Sequence, residues 1–114
     1  MSFGFSIESS YEKAHQKAVK EDKILMVYLT QKGCHRCRDE LVKILQNKKL
    51  RLAIEKSALF VVVLKNQKES YPIEMLYTSE YPTLFFLDKR ELFLCEALRG
   101  ETKVDKILEC LVPK

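Results

Sequence analysis

The residues of this 114-residue chain best suited to chemistry are its four cysteines, Cys34, Cys37, Cys95 and Cys110. Two of them fall in Lys32-Gly33-Cys34-His35-Arg36-Cys37-Arg38-Asp39, between an apolar run and a charged helical pattern. Helical residues three apart share nearly one face. That sets the two Cα atoms about 5–6 Å apart, within reach of a disulfide. The pair can therefore close and reopen with little backbone movement. Position adds reactivity. A thiol at a helix N-terminus meets unpaired N–H groups and the positive end of the helix dipole. These stabilise the thiolate, which is the nucleophile. Arg36, Arg38 and a protonated His35 add positive charge nearby. Cys34 is thus the expected attacking thiol, and Cys37, one turn inside, the resolving one. His35 and Arg36 are the expected tuning residues. Stabilising the thiolate favours the reduced form, which makes the disulfide a stronger oxidant.

Other chemistries fit the cysteines less well. A zinc site could use Cys34 and Cys37 as half its ligands, with Cys95 and Cys110 completing it. Yet 14 residues separate Cys95 from Cys110, one in a strand pattern and one in a helix pattern. No metal is expected. A c-type haem site needs a His directly after the second Cys, and Arg38 stands there. Cys95 and Cys110 are read as structural thiols, one in the core and one half-buried, although a bridge between them is geometrically conceivable. His15 falls on the flank of a helix and reads as a boundary residue.

The elements that must hold the dithiol follow from periodicity. Ser9 and Glu12 have capping-box spacing, and Tyr11, Ala14, Ala18 and Val19 recur at helical spacing up to Asp22-Lys23. Ile24 to Leu29 is a continuous apolar run, the pattern of a strand buried on both faces. Leu41, Ile44 and Leu45 then show helical spacing, so Cys34 sits at a strand-to-helix turn. Asn47 can cap a second helical piece with Leu50, Ala53 and Ile54 inward. Ala58 to Leu64 is a second buried strand, parallel to the first across a helical crossover. Asn66 to Ser70 reads as a loop, and Pro72 to Tyr77 as a short helix. Thr83 to Leu87 and Leu92 to Ala97 read as a hairpin around Asp88-Lys89-Arg90-Glu91. After Gly100 a last helix carries Val104, Ile107, Leu108 and Leu111. The result is a mixed four-stranded sheet with helices on both faces, and Ser2-Phe3-Gly4-Phe5 could add a short edge strand.

Length and composition agree with one domain over residues 1–114. The chain is well above the roughly 40 residues below which staples become usual, and four cysteines are too few for a disulfide scaffold. With 46% hydrophobic and 32% charged residues, nothing points to disorder. The net charge of +4 is spread along the chain. A small cluster at Lys48, Lys49 and Arg51 reads as a solvated face, so no nucleic-acid partner is expected. No apolar segment approaches the roughly 18 residues of a membrane span. The N-terminus lacks a basic start followed by an apolar run. The chain as it stands is expected to be cytoplasmic, and periplasmic if a leader has been removed.

These features together resemble the thioredoxin-like superfamily, in particular small bacterial thioredoxin-related domains. The residues that carry the resemblance are Lys23 to Leu29, then Cys34-His35-Arg36-Cys37, then Tyr81-Pro82-Thr83-Leu84-Phe85-Phe86-Leu87-Asp88, then Gly100 before the last helix. They span roughly residues 8–112. The resemblance implies a thioredoxin fold and a cis-proline at Pro82 beside the dithiol. It implies that Tyr81 and Pro82 bind an extended substrate segment and that the loop keeps metal from the thiols. Two departures stand out. Gly33 precedes the first Cys where many thioredoxins carry Trp, and Tyr28 stands where many carry a buried Asp that assists the resolving thiol. The base for Cys37 is therefore unassigned. The expected function is thiol–disulfide exchange with protein substrates and an unidentified redox partner, by a monomer with no cofactor. The alternative is a non-catalytic thioredoxin-fold binding module.

Overall fold

Ile24–Thr30 forms strand β2, whose five central residues are all buried. Ala58–Leu64 forms β3, similarly buried, and pairs with β2 in parallel from Ile24↔Ala58 to Thr30↔Leu64. The computed structural model describes residues 7–8, 10–64, 80–100 and 102–111. The expected loop at 66–70, the short helix at 72–77 and the edge strand at 2–5 lie outside them. A two-residue edge strand, β1 (Ile7–Glu8), pairs in parallel with β3. Thr83–Leu87 forms β4, antiparallel to β2, and Leu98–Arg99 forms β5, antiparallel to β4. The sheet is mixed, in the order β1-β3-β2-β4-β5.

The helices are α1 (Tyr11–Glu21), α2 (His35–Gln46), α3 (Lys48–Ser57) and α4 (Val104–Leu111). Alternation along β2 divides the core. Leu25, Val27 and Leu29 pack with Tyr11, Ala14 and Ala18 of α1 on one face of the sheet. Met26 and Tyr28 pack on the other face with Ile44 of α2, Leu50 and Ile54 of α3, and Ile107 and Leu111 of α4. Each fully buried aliphatic or aromatic side chain contributes about 1.5–3 kcal/mol. The two faces together therefore hold β2 rigidly, and β2 leads directly to the dithiol.

Caps fix where the helices begin. Asn47 Oδ1 accepts the Leu50 N–H at 3.0 Å and starts α3 as expected. The cap of α1 is Ser10, one residue later than the capping-box spacing suggests, and its hydroxyl accepts the Lys13 N–H at 3.4 Å. Helix α1 ends at Asp22, whose φ of 55° takes the chain through a left-handed turn into β2.

The hairpin expected at residues 83–97 is only half formed. Asp88 Oδ1 accepts the N–H groups of Arg90 at 2.8 Å and Leu92 at 3.0 Å, and Glu91 turns at φ 66°. Phe93 then bridges Leu87, but regular pairing resumes only at Leu84↔Leu98. Five residue steps on one side oppose three on the other. The surplus bulges out, so the strand expected at Leu92–Ala97 is replaced by β5 at Leu98–Arg99. Cys95, within that bulge, is tied by a disulfide to Cys110 on α4. The reading of Cys95 and Cys110 as separate thiols is corrected by that same bond.

Candidate active site at the Cys34–Cys37 pair

Gly33 makes the turn out of β2 with φ of +79°, a conformation that L side chains rarely adopt. The Cys34 N–H is held by Gln31 O at 3.3 Å. Cys34 is then the N-cap of α2, and its Sγ accepts the Cys37 N–H at 3.0 Å. A sulfur at this position replaces the usual capping oxygen. The same N–H would stabilise a thiolate there by a charge-assisted bond. Cys34 and Cys37 are joined as a disulfide with a Cα–Cα separation of 5.3 Å, inside the range read from their spacing. Cys34 is half-buried at the surface, whereas Cys37 is only 3% exposed. The asymmetry suits one thiol that meets substrate and one that waits behind it.

His35 and Arg36 are both exposed in the first turn of α2. Arg36 reaches across to the neighbouring loop: its Nη1 lies 3.8 Å from where a Cβ on Gly100 would stand, and a Glu80 oxygen lies 3.7 Å from the same point. Gly100 in turn donates its N–H to Pro82 O at 2.7 Å. The Tyr81–Pro82 peptide bond is cis. Pro82 is buried and Tyr81 half-buried. Because Thr83 pairs with Leu29, this loop stands at the same end of β2 as the dithiol. Cys34, Arg36, Tyr81 and Pro82 are therefore brought to one end of the sheet.

Tyr28 occupies the position where a buried Asp was sought. It is fully buried. Its hydroxyl donates to the Cys37 carbonyl at 2.5 Å. The hydroxyl thereby ties β2 to α2 at Cys37 itself. Burial, and then the charge of Glu40, raise the Tyr28 pKa well above its ordinary value, with the Leu41 N–H acting weakly the other way. Tyr28 thus stays protonated. It is a donor at this site and not a base.

Glu40 was not singled out from the sequence. It lies on α2 three residues after Cys37 and is only 8% exposed. Its Oε1 accepts the Thr102 N–H at 3.0 Å and the Thr102 hydroxyl at 2.8 Å, and its Oε2 accepts Lys43 Nζ at 3.1 Å. Burial alone would push this carboxyl up. The Thr102 N–H and hydroxyl and then Lys43 outweigh it and hold the pKa below the ordinary 4.5. Glu40 therefore clasps the dithiol helix to the segment after Gly100. The available signal was its spacing: residues 37, 40, 41 and 44 fall on one face, and a carboxylate on an apolar face demands a partner.

The remaining cysteines lie elsewhere. Cys95 follows the end of β4 that pairs with Leu25, at the start of β2, whereas Cys34 follows the end of β2. The four cysteines thus form two separate pairs at opposite ends of the sheet, which removes the four-cysteine zinc geometry. No group of three or more metal-ligating side chains occurs among the described residues. No helix among them is long and apolar enough to cross a membrane. His15 is half-buried, as a boundary residue should be, with Nε2 2.8 Å from Lys89 O.

No protein-family model matches the chain, and neither does any curated protein. Solved structures do match. A thioredoxin from Thermus thermophilus superposes with a TM-score of 0.74 at 20% identity, over 94% of this chain and 85% of that one. A DsbH oxidoreductase gives 0.71 at 19% identity, over 97% and 89%. The C-terminal domain of Neisseria meningitidis DsbD in its oxidised form gives 0.67 at 20% identity, over 91% and 95%. At such identities the likeness is one of fold. Mixed sheet, flanking helices and the dithiol at the start of α2 agree with it, and the chain has the thioredoxin fold.

Proposed function

We propose that residues 1–114 act as one thioredoxin-like domain that exchanges disulfides with protein substrates. The observation that carries this reading is the Cys34–Cys37 disulfide at the N-terminus of α2, with Cys34 half-buried and Cys37 buried. In the reducing direction the Cys34 thiolate attacks a substrate disulfide. One substrate sulfur leaves as a thiolate and takes up a proton. Cys37 then attacks Cys34 Sγ in the mixed disulfide, closes the Cys34–Cys37 bond and releases the second substrate thiol. Two electrons pass from the dithiol to the substrate. The oxidising direction is the reverse.

Tyr81 and Pro82 are the substrate-positioning residues in this reading, as the resemblance implies. His35 and Arg36 tune Cys34, and Arg36 also faces the loop that would hold substrate. No bound cofactor is required, because the dithiol carries both electrons.

The test is a redox titration in glutathione or dithiothreitol buffers, followed by alkylation and mass mapping of each cysteine. The chain has no Trp, so the common fluorescence readout does not apply. A reversible Cys34–Cys37 couple near about −270 mV means a reductase of the thioredoxin kind, and one near about −120 to −180 mV an oxidant or isomerase. Cys34→Ser should abolish exchange, and Cys37→Ser should trap the mixed disulfide. A pair that never cycles would leave a passive binding module as the better account.

A further inference from the structure

The Cys95–Cys110 disulfide has no part in the chemistry above. It joins the bulge before β5 to the last turn of α4 and is half-buried at both ends. Both cysteines line a surface cavity of about 910 Å³ at the pole away from Cys34. Its walls come from the end of α1, the start of β2, the end of α3 and the turn after β4.

We propose that Cys95–Cys110 is a second thiol–disulfide exchange site, addressed by a small thiol that carries carboxylates and occupies this cavity.

Three observations converge on it. First, the bond lies at the edge of the core, because both cysteines are half-buried and line the cavity wall. Second, opening the bond costs little structure. Cys95 lies in the surplus between the Leu87↔Phe93 bridge and the Leu84↔Leu98 pair, so its release breaks no strand pairing. Helix α4 has its own anchors in the core, Ile107 and Leu111. Third, one wall cation is left over, because the wall carries four carboxylates (Glu21, Asp22, Asp88, Glu109) and four cations (Lys23, Lys56, Lys89, Arg90) but Glu109 pairs with Lys106 outside it. Glu21 is paired with Lys23 at 3.6 Å, Asp22 with Lys89 at 3.0 Å and Glu109 with Lys106 at 3.9 Å. Lys56, also on the wall, makes no ion pair among the described residues. A ligand with carboxylates would supply the missing partner.

Polarity within the pair follows from the helix. Cys110 lies at the C-terminal end of α4, where the dipole disfavours a thiolate. Cys95 lies outside any helix and is the better leaving group. The incoming thiolate therefore attacks Cys110 Sγ, the Cys95–Cys110 bond breaks, and Cys95 leaves as a thiolate that takes up a proton. A second small thiol then attacks the mixed disulfide. It releases Cys110 as a thiol and forms the small-molecule disulfide. Two electrons pass from two small thiols to the protein disulfide.

Glutathione is the probe. Oxidised protein, intact and as the Cys34→Ser/Cys37→Ser variant, is equilibrated at graded ratios of glutathione to its disulfide, quenched, alkylated and mass-mapped, with circular dichroism recorded throughout. The variant isolates the second pair. The intact protein guards against a variant that fails to fold, because each pair is mapped separately. The expected result is reversible opening of Cys95–Cys110 in folded protein, with glutathione trapped on Cys110. Lys56→Glu should slow opening by glutathione about 30-fold, because it removes one close attractive contact in water and adds a repulsive one of the same size. Opening by uncharged 2-mercaptoethanol should be unchanged. A bond that opens only as the circular dichroism signal collapses would overturn the proposal and leave a structural staple. Equal rates for Lys56→Glu and the parent with glutathione would overturn the carboxylate site. Neither result bears on Cys34 and Cys37, whose own titration stands apart.

Discussion

Replacing Tyr28 with Phe removes one oxygen from the interior and leaves the ring in place. That oxygen donates to Cys37 O at 2.5 Å. One hydrogen bond is lost, worth about 1 kcal/mol net in a folded protein. The expected destabilisation is therefore about 1 kcal/mol. It should appear in urea unfolding as a lower midpoint with an unchanged slope. The packing of the ring against Phe60, at 6.1 Å in edge-to-face geometry, is retained. The same change moves Cys37, because its carbonyl loses the tether to β2. The Cys34–Cys37 midpoint in a glutathione titration should therefore shift, whereas the Cys95–Cys110 pair at the other pole should not. Refutation would be a variant as stable as the parent, within about 0.3 kcal/mol, with the same Cys34–Cys37 midpoint. The hydroxyl would then be a passenger in the core, and the position of Cys37 would have to come from α2 alone.

Other outcomes follow from the same geometry. Glu40 holds its carboxylate below the ordinary 4.5, so its contribution to stability is complete above that value and is lost as pH falls through the folded-state pKa. Glu40→Gln should flatten that acid limb in urea unfolding followed from pH 6 downwards, and an unchanged limb would show that other carboxylates set it. Glu40→Ala leaves the Thr102 N–H buried without its acceptor and should cost about 1–3 kcal/mol, read from the urea midpoint. The Cys95→Ala/Cys110→Ala variant removes a cross-link spanning 15 residues. The chain-entropy estimate for that loop is about 3 kcal/mol, to be measured as a drop in thermal or urea stability under oxidising conditions. A loss below about 0.5 kcal/mol would mean that the bond constrains neither state.

The parts of the fold that were legible in the sequence share one property: a local pattern specifies them. Ile24 to Leu29 and Ala58 to Leu64 read as buried strands because burial on both faces leaves no polar alternation, and both formed, the first one residue longer, to Thr30. The Asn47 cap was legible because the side chain that makes it lies three residues from its donor. Cys34 and Cys37 were legible because helix geometry alone brings residues three apart within bonding reach. Apart from the one-residue shift of the α1 cap, the failures are long-range. Leu92 to Ala97 alternates like a strand, but its middle bulges out of the ladder, where Cys95 bonds to a residue on α4. Glu40 looks like an exposed helix residue until Thr102, 62 positions later, supplies two donors.

The unassigned base at Cys37 belongs with these long-range features, and the structure changes what needs explaining. Tyr28 is protonated and already donates to a carbonyl, so it cannot take a proton from the resolving thiol. Glu40 is ionised, but both its oxygens are occupied by Thr102 and Lys43. Neither buried group beside Cys37 is therefore placed to accept its proton. At Cys34 the helix N-terminus and the Cys37 N–H favour negative charge. In the exchange proposed above, the substrate sulfur that leaves the mixed disulfide is then the group that takes up the Cys37 proton.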